Sequence, residues 1–267
     1  VFAGYPELNH EVPVVRGDRQ KVVALCGNFN RTNLDATQRV INALHETGEY
    51  QVILYTPVPP VLLRMRGIDL DKVSRVDYVA DADFMARLAE ADLLVLGRHH
   101  RQSPQGFAGT TLERILLATP IPLLLVTHPA IEPYRQALAA LDYSRCANRA
   151  LHAAWQLLPP EAKLHALNIE EVAEIHGADP AALALQVELF GQLIDDTRTA
   201  LGADEGRLSY SLHQGERLNC LDAAISELQP QLLALGGHSR SELSHALLGS
   251  LTRHFFDNPP CDVLVAR

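Results

Sequence analysis

An internal repeat constrains this chain more than any other feature. Leu93-Leu94-Val95-Leu96-Gly97-Arg98-His99-His100 aligns with Leu232-Leu233-Ala234-Leu235-Gly236-Gly237-His238-Ser239. Each is an apolar run that ends at a glycine and then turns polar, with His99 and His238 in register. A helix-like stretch follows each run, and then a late apolar run. Those late runs are Pro122-Leu123-Leu124-Leu125-Val126 and Asp262-Val263-Leu264-Val265-Ala266, each just after a proline-containing break. The starts match as well, residues 22–28 against 138–144. A chain that repeats the order of its buried runs holds two copies of one supersecondary unit. The alignment divides it into an N-terminal arm (1–19), a first unit (20–127), a proline-containing linker (128–135) and a second unit (136–267).

The second unit shows the local pattern most clearly. Residues 138–141, 164–169, 208–212, 232–235 and 263–265 read as short buried strands. Between them, Ala147, Ala150, Leu151, Ala154 and Leu158 fall at helical spacing, with Ser144 in N-cap position. Leu183, Val187, Phe190, Ile194 and Leu201 form a second helical stripe, and Leu218, Leu221, Ala224, Ile225 and Leu228 a third. Strands alternating with helices predict an α/β fold, each unit a parallel five-stranded sheet with helices on both faces. Ligands of such sheets sit at the carboxyl ends of the strands. That directs attention to Asp142 and Tyr143, Asn168, Gly215 and the turn from Gly236.

Charge and cysteine usage narrow the class of partner. The formal net charge is −9 and no Lys/Arg run is present, which disfavours nucleic acid and anionic membranes. No apolar run approaches the roughly 18–20 residues of a membrane span. Residues 1–20 lack the basic start and apolar core of a signal peptide. Cys26, Cys146, Cys220 and Cys261 show no C-x-x-C spacing, so reduced thiols in a cytoplasmic protein are expected.

The turn Gly236-Gly237-His238-Ser239-Arg240-Ser241 and the later pair Gly249-Ser250 carry the chemistry. Glycines after a buried strand let backbone approach a ligand without a Cβ in the way. Gly249-Ser250 precedes a helical stretch whose first N–H groups attract phosphate oxygens. Ser250 and Ser239 add hydroxyls, and Arg240 adds positive charge. The same residues also suit an ordinary Gly/Ser-rich loop. Neither G-x-x-x-x-G-K-[ST] nor G-x-G-x-x-G occurs, which disfavours a conventional ATPase or dinucleotide site. His99 and His100 are adjacent and point apart, with no cysteine or carboxylate at ligand spacing, so no metal site is predicted. Ser239 lacks the G-x-S-x-G elbow of a hydrolase nucleophile, and no catalytic residue is assigned.

Gly236-x-x-Ser239, nine residues, Gly249-Ser250, then Asn258-Pro259-Pro260-Cys261-Asp262-Val263-Leu264-Val265, resembles the C-terminal signature of the universal stress protein family. Asp142-Tyr143-Ser144 resembles the end of that family's first strand, and Gly215 a glycine before its third helix. The resemblance spans nearly the whole chain after Gln20, more specifically in the second unit. It implies a cytoplasmic stress-response protein that binds ATP or a related adenine nucleotide, as a sensor or regulator rather than a fast enzyme. By position it implies Asp142 on the ribose or base side, the backbone near Leu167 and Asn168 at the adenine, and Gly236, Gly237, Ser239, Gly249 and Ser250 at the phosphates. Ser239 departs from the glycine usual there. The first unit departs further: Cys26 stands where Asp142 stands, and His100 replaces the second glycine of the turn. One nucleotide per chain is therefore expected. The family's habit of pairing last strands implies an internal pseudo-dimer, Leu123–Val126 against Val263–Ala266, with homodimerisation also compatible. A nucleotide-free interaction and dimerisation module of the same fold is the alternative.

Overall fold

A computed structural model describes residues 21–26, 34–56, 58–77, 91–97, 121–127, 133–171, 180–237 and 249–267. The arm at 1–19, most of the linker, and the turn residues His99, His100, His238, Ser239 and Arg240 lie outside the described residues.

The described strands are β1 (Lys21–Cys26), β2 (Tyr50–Tyr55), β3 (Arg75–Asp77), β4 (Leu93–Gly97) and β5 (Leu123–Val126), then β6 (Gln136–Leu141), β7 (Lys163–Glu170), β8 (Leu208–Gln214), β9 (Leu232–Gly236) and β10 (Asp262–Ala266). They form one sheet in the order β3-β2-β1-β4-β5-β10-β9-β6-β7-β8. Each half repeats the same order, and every pairing within a half is parallel. The halves meet where β5 and β10 pair antiparallel, Leu125 opposite Val263 and Leu123 opposite Val265. The repeat thus becomes a tandem α/β architecture on one continuous sheet.

The described helices are α1 (Leu34–Thr47), α2 (Pro60–Met65), α3 (Arg145–Leu157), α4 (Pro180–Leu201), α5 (Arg217–Leu228) and α6 (Ser250–Asp257). They cover both faces, as continuous apolar strands require. On one face Ile41 of α1, Ala150 and Leu151 of α3, and Phe190 and Ile194 of α4 share a core with Val23, Ala139 and Leu264. On the other, Leu221 and Ala224 of α5 and Phe255 and Phe256 of α6 pack with Leu138, Leu167 and Val263. Ser144 caps α3 as its spacing predicts, its Oγ accepting from the Ala147 N–H at 3.1 Å.

The stripe Leu183, Val187, Phe190, Ile194, Leu201 does lie on a single helix, and Phe190 and Ile194 are fully buried. Val187, however, is 43% exposed. At 1.5 Å per residue the 22 residues of α4 run roughly 33 Å, against roughly 23 Å for the seven residues of β8, on which it packs, at 3.3 Å each. The first turns of α4 outreach the strand that would bury them.

Candidate functional site

In the second half the chain steps from β6 outward to β7 and β8, then returns to β9 on the other side of β6. The strand order therefore reverses between β6 and β9, and a crevice opens at their carboxyl ends. An open cleft lies there, where sheets of this kind hold their ligands. Its floor includes one row of the sheet: Leu235, Ala140 and Leu167 stand side by side on β9, β6 and β7. The short Ala140 side chain between two leucines leaves the depression.

Asp142 follows β6 directly and lines the cleft, half-buried. Its Oδ1 accepts from the Ser144 N–H at 3.1 Å. Tyr143 between them takes φ 64, a left-handed turn for a non-glycine residue. That turn swings the tyrosine ring away to meet Phe190 edge-on, centroids 5.9 Å apart.

Gly236 and Gly237 end β9. A Cβ on Gly236 would lie 2.7 Å from the Ala147 nitrogen and 3.1 Å from its Cα, so only glycine lets β9 approach the start of α3. The Gly237 N–H donates to the Ala266 carbonyl at 2.7 Å, and the Gly249 N–H donates to the Gly237 carbonyl at 3.2 Å. Two glycine motifs twelve positions apart are thus joined by one backbone bond. The Thr252 hydroxyl donates to the Gly236 carbonyl at 3.0 Å and fixes α6 against β9.

Three helix starts border the cleft: Ala147 of α3, Arg217 of α5 and Ser250 of α6. Each has N–H groups with no intrahelical partner. Ser144 takes one on α3. Glu216 takes two on α5, from Leu218 at 3.0 Å and Asn219 at 2.7 Å. Those bonds hold the Glu216 carboxyl below its usual range. Gly249, the N-cap of α6, offers no side chain. Among the described residues no side chain caps α6, and an anion at its start would meet the positive end of the helix dipole.

Of the eight residues expected at the site, the cleft brings together Asp142, Leu167, Gly236, Gly249 and Ser250. Gly237 stands immediately behind them. Asn168 is turned to the opposite face, where its buried Nδ2 donates to the Leu141 carbonyl at 2.7 Å and ties β7 to β6. Ser239 lies outside the described residues. Sequence reasoning missed Ile169, Thr252 and, above all, Arg217. The guanidinium of Arg217 pairs with Glu171 at 2.9 Å. Its position just after Gly215, already singled out before the third helix, was the available signal.

The sequence model of the Universal stress protein family matches residues 133–267, the half of the chain that carries this cleft. The chain belongs to the universal stress protein family. Solved structures agree on the fold. A universal stress protein from Archaeoglobus fulgidus DSM 4304 superposes with a TM-score of 0.61 at 14% identity, covering 92% of this chain and 98% of that one. A functionally unknown protein from Pseudomonas aeruginosa PAO1 gives 0.58 at 17% identity, over 92% of each chain. No curated protein matches the sequence. Among the described residues, no helix is long and apolar enough to cross a membrane, and no cluster of three His, Cys, Asp or Glu could hold a metal ion. Cys146, Cys220 and Cys261 are free thiols. Burial, with Asp262 beside it, pushes the Cys261 thiol up to about 12, so it stays protonated at neutral pH.

Proposed function

We propose that this chain is a cytoplasmic stress-response protein that binds ATP or a related adenine nucleotide in its second half, as a sensor or regulator rather than a fast enzyme. The observation that carries this reading is the convergence of Asp142, Leu167, Gly236, Gly249 and Ser250 on one cleft. In this account Asp142 meets the ribose or base side, and the apolar row with Leu167, beside Asn168, floors the adenine. Gly236, Gly237, Gly249, Ser250 and Ser239 hold the phosphates, Ser250 at the uncapped start of α6. Cys26 in place of Asp142 makes the first half the degenerate copy, so the expected load is one nucleotide per chain. The same reading treats residues 20–127 and 136–267 as two units forming an internal pseudo-dimer through β5 and β10, with 128–135 as linker and 1–19 as an arm. Homodimerisation of whole chains is compatible with it.

Mass spectrometry of freshly purified, denatured protein tests the proposal. An adenine nucleotide is expected in the wild type and is lost or sharply depleted in Asp142→Ala. Protein free of nucleotide, with no heat on titration with ATP, sinks it. That outcome would favour the second reading, a nucleotide-free interaction and dimerisation module. The apolar surface of α4, with Leu185 at 55% and Leu189 at 49% exposure, supports that alternative.

A further inference from the structure

We propose that two copies of this chain close into a two-fold dimer in which α2 of each docks on α4 of the other; this stands apart from the nucleotide reading above. The antiparallel pairing of last strands, β5 with β10, is already made inside the chain, so a second copy must use another surface. Two helices offer one. α2 follows β2 and is anchored by the buried Leu63, while Val61, Leu62 and Met65 stand 68%, 42% and 78% exposed. α4 follows β7 and is anchored by Phe190 and Ile194, while Leu185 and Leu189 stand outside. Each helix thus comes after the second strand of its half. Leu63, Phe190 and Ile194 belong to one core on one face of the sheet, so both apolar patches lie on that face.

The two patches share a spacing and oppose in charge. Val61 and Met65 lie one helical turn apart with Arg64 beside them; Leu185 and Leu189 lie one turn apart with Glu188 beside them. In both, the charge comes three residues after the first apolar side chain. Helices packed antiparallel bring the same flank of each together, so apolar pair on apolar pair sets Arg64 against Glu188. Arg66 adds to the positive patch, and in the turn that follows Asp69 is offset by Lys72 at 3.9 Å. Asp196 adds to the negative patch, while Asp195 is held by Arg198 at 2.8 Å. Arg64 touches Asp71 at 3.4 Å, but both side chains are mostly exposed and such a pair contributes little. Within one copy the patches stay apart. From β2 to β8, on which α4 packs, there are eight strand spacings, roughly 38 Å. The link from β2 to α2 spans at most roughly 18 Å. A second copy turned over on a two-fold axis brings both contacts together at once.

The experiment is sedimentation velocity of the whole chain without nucleotide. Patches this small give weak association, so the wild type should pass from monomer to dimer between about 1 and about 200 µM. Arg64→Glu and Glu188→Arg each set like charges together in both contacts and should weaken the dimer about five- to fifty-fold. Arg64→Glu combined with Glu188→Arg swaps the two charges and should restore it. Leu189→Asp should leave a monomer. A wild type that stays monomeric overturns the proposal. So does a dimer indifferent to either reversal, or one that the double reversal fails to restore. Species that grow past the dimer overturn it too, because they show an open head-to-tail contact in place of a closed pair. Arg64, Glu188 and Leu189 are all exposed, and unchanged melting curves show that the variants are folded.

Discussion

At Gly236 two demands fall on one missing Cβ. The sequence placed a glycine there and the ligand argument explained it: backbone must approach a phosphate. The structure adds a separate reason, because β9 and the first turn of α3 touch at that residue, with the Ala147 nitrogen 2.7 Å from where a Cβ would stand. Gly236→Ala should therefore destabilise the protein even without ligand, by about 1–3 kcal/mol as in other overpacked sites, measured by urea unfolding of nucleotide-free protein. A Gly236→Ala variant with wild-type stability would show that the contact yields freely. Asp142 and Ser144 were legible because strand-end and N-cap positions have strong local chemistry. Arg217 was not, since an arginine at the start of a helix carries no signature until the fold brings it to the rim of the cleft. Asn168 was legible only as a neighbour of the ligand. Its bond to the Leu141 carbonyl depends on β7 lying in register with β6, which local sequence does not specify.

Among the elements, strands were easier to read than the helix that covers them. Period and length marked β6, β7, β9 and β10 because both faces of each are buried. The α4 stripe gave the buried face at Phe190 and Ile194, yet it cannot report where the sheet stops, and Val187 on the same stripe is 43% exposed. Beyond the core, the β7–β8 pair is expected to respond to pH. His165 on β7 is bonded through Nδ1 to the Ser209 hydroxyl at 2.9 Å and through Nε2 to the Ser211 hydroxyl at 2.8 Å. Burial first, and His213 second, hold its pKa below the ordinary 6.5, with Glu227 opposing. Burial lowers His152 as well. A histidine whose folded pKa is depressed contributes stability that is present above its unfolded pKa and lost as pH falls below it. The melting temperature should fall as the pH drops below the ordinary histidine value of 6.5, and His165→Gln should remove part of that fall. An identical pH dependence in the variant would contradict the assignment.

Across the whole molecule, the repeat in the sequence and the mirrored strand order in the sheet are the same fact. The resemblance implied which strands pair at the seam between the halves, but not the polar contacts that fasten it. There Asp262, 9% exposed at the start of β10, accepts from the Thr127 N–H at 2.7 Å and the Thr127 hydroxyl at 3.0 Å. Its other oxygen accepts from the Tyr134 hydroxyl at 2.7 Å. One carboxylate thus binds both sides of the connection between β5 and β6, and burial together with that carboxylate pushes the Tyr134 phenol well above its usual range. In the first half Pro122 precedes the equivalent strand, so the repeat is broken at the seam as it is at Cys26 and Asp142. That broken symmetry is the centre of the functional account: two similar units, one working cleft. Calorimetric titration of nucleotide-stripped protein with ATP measures it most directly. The account predicts one site per chain, abolished or strongly weakened by Asp142→Ala. Two sites per chain, or one that survives Asp142→Ala with unchanged affinity, would contradict it.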